Sequence, residues 1–324
     1  MSTGRAAFVG TILLVTLFAG CLDGDTTTKE GGKDAKVRAG TSGAKPGLSA
    51  DKFGARVQVY DKDGLTPLAP PEFPSPLNVT THSLGRNCGE PTGGVTWKND
   101  WVWEVCSAAI MRSKDHGVTW EQVSTQVSSP TTLDPYMWVD TITDRVYSVQ
   151  LYVGCSWLSY TDDYGGLWVT NPAACGLPVN DHQTMAGGPP APPAVSNPVY
   201  RNHLYYCVNQ LVDTMCSTSV DGGLTWVGKP AQVTVVDVEA GRQCSAINGH
   251  VVVGKDGTAY LPKRTCNRPS VMVSTNNGAT WEEKVVSKGH AVVQSLAHDP
   301  TVTTDSAGNA YYFWTGDDGV LRLS

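Results

Sequence analysis

The chain has 324 residues and a formal net charge of −6, because 24 lysines and arginines stand against 30 aspartates and glutamates. This acidic balance excludes a polybasic nucleic-acid binder that is held mainly by phosphate contacts. Hydrophobic residues make up 40% of the chain and charged residues 17%, which suits one large all-β domain or two ordinary ones. Glycine, proline, threonine, valine and aromatic residues abound and long helical stretches are missing, so the composition favours strands and turns.

Residues 1–20 have the pattern of a secretory signal. Arg5 is followed by an uncharged run from Ala6 to Gly20, which is short for a membrane span. The residues Leu-Phe-Ala-Gly before Cys21 resemble the lipobox of prokaryotic lipoproteins, although Phe18 stands where that family usually has leucine. The resemblance implies export, cleavage before Cys21 and a lipid anchor on its sulfur at the extracytoplasmic face of the cell membrane. An ordinary signal with an incidental cysteine is the alternative.

Residues 21–76 are expected to form a flexible tether and a proline-rich lead-in to the folded part. Residues 22–50 carry almost no large apolar side chain, so they cannot bury enough surface to offset the entropy of ordering. Prolines then cluster between residues 67 and 76. Between tether and lead-in, the alternating residues 55–60 could form an isolated strand.

An octapeptide of the form [ST]-x-[DN]-x-G-x-x-W recurs four times, beginning at residues 113, 161, 219 and 274. This spacing is roughly the length of one four-stranded propeller blade. The pattern predicts a hairpin turn in which the Asp or Asn accepts backbone hydrogen bonds, the glycine takes a positive φ and the tryptophan packs between neighbouring blades. We therefore assign structural roles to Asp115, Gly117, Trp120, Asp163, Gly165, Trp168, Asp221, Gly223, Trp226, Asn276, Gly278 and Trp281.

The octapeptide is similar to the Asp-box, or BNR repeat, of the sialidase-like β-propellers, over about residues 85–324. This resemblance implies an all-β propeller of four-stranded antiparallel blades, with each box between the third and fourth strands and away from the active-site face. That family has six blades, whereas residues 77–324 supply four complete blades and three strands of a fifth. The chain is therefore expected to be a C-terminally incomplete fragment, since open sheet edges are a liability. Closure of a five-bladed ring by a strand near residues 57–60 is the alternative.

Eight cysteines remain besides Cys21, and an even number in an exported chain favours disulfides over thiol chemistry or zinc. Two cysteines precede an inner strand and two follow the neighbouring second strand, where antiparallel pairing brings the strand ends together. Another two flank one hairpin, and the last two pair by elimination. The predicted bridges are Cys88–Cys106, Cys244–Cys266, Cys207–Cys216 and Cys155–Cys175. No CxxC or HExxH spacing occurs, so no zinc site is expected.

A second repeat places acidic residues before the inner strands. Glu90, Asp134 and Asp299 each precede a proline, and each stands at the same interval before an aromatic residue of the next strand. In a propeller these loops meet around the central axis, together with the loops that join second and third strands. The expected ligand funnel comprises Glu90, Asp134, Asp181, His182, Arg264, Arg268, His298 and Asp299. Such a set could bind a sugar, a cation or an anionic ligand, or its carboxylates could merely cap local turns.

Three functions compete for this architecture. We favour a membrane-anchored propeller that binds a glycan or a surface protein. The family resemblance also implies glycoside hydrolysis by an arginine triad, a Tyr–Glu pair and an acidic residue. However, the Arg-Ile-Pro motif is missing and no Tyr–Glu pair can be assigned, so the catalytic residues would lie partly in C-terminal blades beyond residue 324. A structural or assembly lipoprotein is the third hypothesis. No resident cofactor is expected, although the carboxylates could hold a structural Ca²⁺.

Overall fold

The computed structural model describes residues 57–59, 82–86, 90–124, 134–152, 155–175, 180–210, 213–233, 236–237, 242–243, 247–286 and 299–324. All of them lie in the compact unit Gly47–Ser324. The expected signal over residues 1–20, the lipidation site Cys21, Cys88, Cys244 and His298 lie outside the described residues. Among the described ranges, no helix is long and apolar enough to cross a membrane.

The chain forms successive four-stranded sheets, and the first four are antiparallel meanders in chain order. A short strand, β1 (Val57–Val59), comes first. The first sheet contains β2 (Thr92–Val95), β3 (Val102–Cys106), β4 (Ala109–Ser113) and β5 (Glu121–Gln122). The second sheet contains β6 (Pro135–Val139), β7 (Val146–Tyr152), β8 (Cys155–Thr161) and β9 (Val169–Cys175).

The third and fourth sheets repeat this order. The third contains β10 (Asp181–Gly188), β11 (His203–Asn209), β12 (Asp213–Ser219) and β13 (Val227–Val233). A two-stranded ribbon, β14 (Val236–Asp237) with β15 (Arg242–Gln243), leads to the fourth sheet. That sheet contains β16 (Val252–Val253), β17 (Ala259–Lys263), β18 (Ser270–Ser274) and β19 (Glu282–Val285), with a 3-10 turn, Thr265–Asn267, between β17 and β18.

The fifth sheet combines the two ends of this unit. Its strands β20 (Thr301–Thr304), β21 (Ala310–Thr315) and β22 (Leu321–Leu323) are the three C-terminal strands that the sequence predicts. β1 adds as the fourth strand and runs parallel to β22, with Val57 opposite Leu321. Val57–Val59 therefore belongs with the sheets and not with the tether expected over residues 21–76. The physical reason is that β22 would otherwise present an unpaired backbone edge.

The apolar core lies between consecutive sheets. Strand alternation sends neighbouring side chains to opposite faces, so Tyr206 packs toward the second sheet while Tyr205 packs toward the fourth. Trp103 of the first sheet and Trp314 of the fifth are also buried at such interfaces. Full burial of an aromatic side chain stabilises the fold by roughly 1.5–3 kcal/mol. The inner strands contact one another in chain order, which confirms the predicted all-β propeller of four-stranded antiparallel blades.

The four octapeptides each join the third and fourth strands of a sheet, as predicted. In each, the first hydroxyl accepts a hydrogen bond from the glycine N–H at 2.8–2.9 Å, and the Asp or Asn Oδ1 accepts a backbone N–H at 2.7–3.0 Å. The four glycines have φ between +77° and +96°, where a side chain would be strained. Trp168, Trp226 and Trp281 pack against the cores between sheets.

One of the predicted bridges, Cys207–Cys216, is present among the described residues. Cys207 and Cys216 form a disulfide and stand opposite each other on β11 and β12. Cys106 and Cys266 are also disulfide-bonded, while their predicted partners lie outside the described residues. Cys155 and Cys175 are register partners on β8 and β9, so the backbone places them opposite each other. The bridges to Cys88, Cys244 and between Cys155 and Cys175 stay predictions.

Candidate functional site

The predicted acidic residues stand at one end of the inner strands. Glu90 precedes β2, Asp134 precedes β6 and Asp299 precedes β20, while Asp181 and His182 open β10. First and third strands of a meander run in the same direction, so the octapeptide turns lie at the opposite end of each sheet. Glu90, Asp134, Asp181, His182 and Asp299 therefore share one face of the propeller, and the octapeptides share the other.

Threonine side chains join the inner strands of neighbouring sheets just inside this face. Thr92 Oγ1 on β2 accepts a hydrogen bond from the Met137 N–H of β6 at 2.7 Å. Thr184 Oγ1 on β10 accepts one from the Val251 N–H, beside β16, at 3.0 Å. These bonds fix the inner strands of neighbouring sheets relative to one another. They therefore also position the acidic residues that precede those strands.

Glu90 and Asp134 form a hydrogen-bonded carboxyl pair between the first and second sheets. Burial, the hydrogen bond to Glu90 and the Glu90 charge raise the pKa of Asp134 to about 8, while the nearby His182 opposes the shift. Two carboxyl groups can share a hydrogen bond only when one of them carries a proton. The pair therefore shares one proton, and burial together with the Glu90 charge favours the protonated form of Asp134.

The Asp134 side chain also reaches the third sheet. The His182 N–H donates to Asp134 Oδ2 at 3.1 Å, and the Gln183 side-chain amide donates to the Asp134 carbonyl oxygen. Glu90 and His182 both have positive φ, +50° and +52°. Residues other than glycine seldom adopt this backbone conformation, and such strain concentrates at binding and catalytic sites.

His182 connects the third sheet to the fifth. Its Nε2 lies 2.8 Å from Asp299 Oδ2. Burial would lower the pKa of His182, but the hydrogen bond and charge of Asp299, with the charges of Asp134 and Asp181, raise it overall. The fourth sheet completes the arrangement, because His250 stacks on His182 with ring centroids 6.0 Å apart. Desolvation and the His182 charge lower the pKa of His250.

Several polar atoms at this site are buried and have no hydrogen-bond partner. They are Asp299 Oδ1, His182 Nδ1, Gln183 Oε1 and Asn248 Oδ1. Asn248 itself donates to the His182 carbonyl oxygen at 3.2 Å, so it is oriented toward the same cluster. Together these four atoms place hydrogen-bonding capacity around His182 that no other group among the described residues satisfies.

Lys263 lies beside this cluster and has no counterpart in the sequence-based prediction. It is fully buried at the end of β17 and donates to Asn209 Oδ1 at 3.2 Å and to Thr214 Oγ1 at 2.7 Å. Burial and the Arg264 charge lower its pKa to about 7, and Asp299 opposes the shift. The signal in the sequence was a lysine at the end of an otherwise buried strand, followed directly by an arginine.

The two predicted arginines differ in exposure. Arg264 is buried next to Lys263, and its charge also acts on Tyr312. Arg268 is exposed. That their guanidiniums overhang the funnel stays a prediction. Asp181 is exposed and acts on Asp134 and His182 through its charge alone.

The described residues include no group of three or more His, Cys, Asp or Glu side chains arranged to hold a metal ion. The cluster of Glu90, Asp134, His182 and Asp299, called the axial cluster below, is instead linked internally by hydrogen bonds. It offers a carboxyl pair that shares a proton, one imidazole and the unpaired Asp299 Oδ1. This combination can exchange hydrogen bonds with a hydroxyl-rich ligand and can move protons.

No protein-family model matches the chain, and no curated protein matches it. Among solved structures, the Hadza microbial sialidase Hz136 is similar over 70% of this chain and 52% of its own, at 15% identity and a TM-score of 0.45. The NanB sialidase from Streptococcus pneumoniae is similar over 69% of this chain and 34% of its own, at 12% identity and a TM-score of 0.40. YCF48 from Cyanidioschyzon merolae matches 69% of this chain and 63% of its own, at 13% identity and a TM-score of 0.44. This chain thus spans about half the length of the Hz136 sialidase and about a third of the NanB sialidase.

Proposed function

We propose that this protein is an exported, lipid-anchored propeller that binds a glycan at the cell surface through the axial cluster. The observation that carries the proposal is the convergence of Glu90, Asp134, His182 and Asp299 from four sheet positions far apart in the chain, with unpaired polar atoms beside them. A protein ligand at the same face is the other form of this hypothesis.

The chemistry of the cluster suits hydroxyl groups. Ionised carboxylates accept hydrogen bonds, and the protonated Asp134 carboxyl group and the His182 imidazole can also donate them. A sugar presents both donors and acceptors on each hydroxyl, so it can satisfy both kinds of group at once. If the carboxylates only capped turns, they would bond to backbone of their own loops, whereas Asp134 and Asp299 bond to a different sheet.

A triple amide variant tests the proposal. In Glu90→Gln/Asp134→Asn/Asp299→Asn the hydrogen-bonding shape remains but the carboxyl charges are gone. Loss of a charged hydrogen bond costs about 1.5–3 kcal/mol, so glycan binding should weaken by roughly ten- to hundredfold. The control is Asp305→Asn, which alters a partly exposed aspartate just beyond the opposite end of β20. A glycan array probed with each full-length chain measures the binding. If the triple variant, Asp305→Asn and the wild type bind equally, the proposal is wrong.

Glycoside hydrolysis is the second candidate, and the raised pKa of Asp134 favours it. A carboxyl group that is protonated at neutral pH can act as a general acid toward a leaving oxygen. However, Glu90 and Asp134 share a hydrogen bond, which is closer than the roughly 5–5.5 Å separation of the carboxyl groups in retaining glycosidases. The test is hydrolysis of fluorogenic glycosides, including sialosides. If the wild type hydrolyses one of them and Asp134→Asn does not, the protein is a hydrolase and not only a binding protein.

A further inference from the structure

Exposed large hydrophobic side chains concentrate at the face of the propeller that carries the octapeptides, called the octapeptide face below. The turns between first and second strands lie at this face too, because each follows an inner strand that starts beside the axial cluster. Of thirteen such side chains among the described residues, eleven lie in these turns or at the strand ends beside them, and two lie at the other face. The turn residues include Trp97, Val118, Ile142, Leu167, Val199 and Leu224. Such a concentration marks a surface that contacts another molecule or a membrane.

Trp97 is 69% exposed on a turn that the second sheet holds in place. Asp144 accepts the N–H groups of Trp97 and Lys98 at 2.7 and 2.9 Å, and Lys98 Nζ donates to the Thr143 carbonyl oxygen at 3.0 Å. These bonds place this turn beside the turn that carries the exposed Ile142. Neighbouring sheets thus present apolar side chains from a common support.

Turn stability does not account for the exposure of Leu167. The seventh octapeptide position is threonine in the other three repeats, and Thr119 and Thr225 donate their hydroxyl groups to the aspartate of their own turn at 2.6 Å. Leu167 cannot make that bond and is 67% exposed, and Leu224 of the third repeat is 54% exposed. Contact with an apolar medium would offset both the lost hydrogen bond and the exposed apolar surface.

The charges on this face are mixed. Lys98 and Lys255 are exposed on turns that also carry the exposed Asp100 and Asp256. The described turns therefore offer no excess of positive charge to an anionic partner. Apolar side chains at the tips of separate turns, without such an excess, suit the interface of a zwitterionic bilayer, where tryptophan and leucine enter the boundary between headgroups and acyl chains.

We propose that the octapeptide face lies on the membrane that holds the lipid anchor, with the axial cluster directed away from it. This inference deepens the proposed function, on which the anchor rests. Residues 22–56 separate Cys21 from Val57, and a flexible chain of this length spans roughly 30–35 Å. A seven-residue strand such as Val146–Tyr152 spans roughly 20–25 Å, so the anchor can reach the membrane from either face. The apolar turns select the octapeptide face.

Quenching of tryptophan fluorescence by brominated lipid tests the proposal. The full chain is reconstituted with phosphatidylcholine vesicles that carry bromine on their acyl chains, which quenches the indole rings that reach them. The wild type should be quenched, and Trp97→Phe should lose most of the quenching because an exposed indole is removed. A wild-type chain that sediments with the vesicles without being quenched would overturn the proposal and favour a protein partner for this face.

A matched pair of variants keeps every tryptophan. Leu167→Ser/Leu224→Ser removes apolar side chains from two octapeptides, whereas Val285→Ser/Leu321→Ser removes the two exposed ones at the other face. All four positions are exposed, so both variants should retain the wild-type fold. The first variant should lose much of the quenching and the second should keep it. Equal quenching in the two variants would show that the octapeptides do not enter the bilayer.

Acetylation of lysines by a water-soluble reagent, followed by mass spectrometry, reports the orientation without tryptophan. On the vesicles Lys98 should be protected several-fold, whereas Lys284, beside Val285 at the other face, should react as in the free chain. Protection of Lys284, or of neither lysine, would overturn the proposal. Failure of the anchor changes how much chain is on the vesicles, whereas a wrong orientation changes which lysine is protected, so the two failures are distinguishable. Neither measurement depends on a glycan.

Discussion

His182 Nε2 and Asp299 Oδ2 lie 2.8 Å apart although the two residues come from the third and fifth sheets. The fourth sheet between them contributes His250, which stacks on the same imidazole ring. This ion pair can form only when three consecutive sheets are packed in the propeller arrangement. It therefore couples the chemistry of the axial cluster to the tertiary fold.

Replacement of Asp299 should lower the pKa of His182. Asp299 contributes both a hydrogen bond and a charge that favour the protonated ring, and loss of a neighbouring opposite charge typically shifts a pKa by about one unit or more. In Asp299→Asn the imidazole should titrate at lower pH when followed by NMR. Asp305→Asn removes an aspartate at the far end of β20 and should leave the titration unchanged. Identical His182 titrations in wild type and Asp299→Asn would refute the ion pair.

The axial carboxyl pair should make a contribution to folding stability that falls as the pH rises from about 4 to about 8, whereas the lowered pKa values of His250 and Lys263 contribute in the opposite direction. The pKa of Asp134 is raised from 3.8 to about 8 in the folded protein, so within this window the folded chain binds more protons than the unfolded chain. The raised pKa of His182 acts in the same direction, since its contribution is present below its ordinary pKa and is lost above the folded one. Urea midpoints at pH 5 and pH 8 measure the slope. Asp134→Asn should flatten it, and an unchanged slope in that variant would count against the carboxyl pair.

The octapeptide turns should need the hydrogen bonds of the third residue more than its charge. Asp221 accepts bonds from the Thr225 N–H and hydroxyl at 3.0 and 2.6 Å. Asn276 likewise accepts the Thr280 N–H at 2.9 Å, but its Nδ2 donates to the Thr280 hydroxyl at 2.7 Å. Asp221→Asn should therefore change the free energy of unfolding by less than about 0.5 kcal/mol, whereas Asp221→Ala should lower it by about 1–2 kcal/mol. Denaturant titration measures both, and equal losses would show that the charge itself is required.

Lipid anchoring through Cys21 should decide where the protein is found in a cell. In a host that processes lipoproteins, the wild-type chain should partition with membranes and Cys21→Ala should not, because the sulfur is the acceptor of the diacylglycerol. Cell fractionation with detergent extraction measures the difference. Equal partitioning of the two forms would leave residues 1–20 as an ordinary signal.

Local sequence chemistry accounts for the sheets and their turns. The octapeptides combine a hydroxyl, an acceptor and a glycine at positions that close the same hairpin each time, so their geometry depends on few residues outside the turn. The repeated acidic residues before inner strands were enough to predict that Glu90, Asp134 and Asp299 share one face. Topology alone brings strand starts together in a propeller.

Only the tertiary structure decided which of these groups touch and what their charges are. The protonation of Asp134, the partnership of His182 with Asp299 and the burial of Lys263 and Arg264 all depend on neighbouring sheets. Likewise, strand β1 pairs with β22, although the two strands stand near opposite ends of the folded unit in the sequence. The physical reason is that burial and electrostatic interactions act through space between residues distant in the chain, whereas turn geometry and strand alternation follow from residues that are adjacent in it.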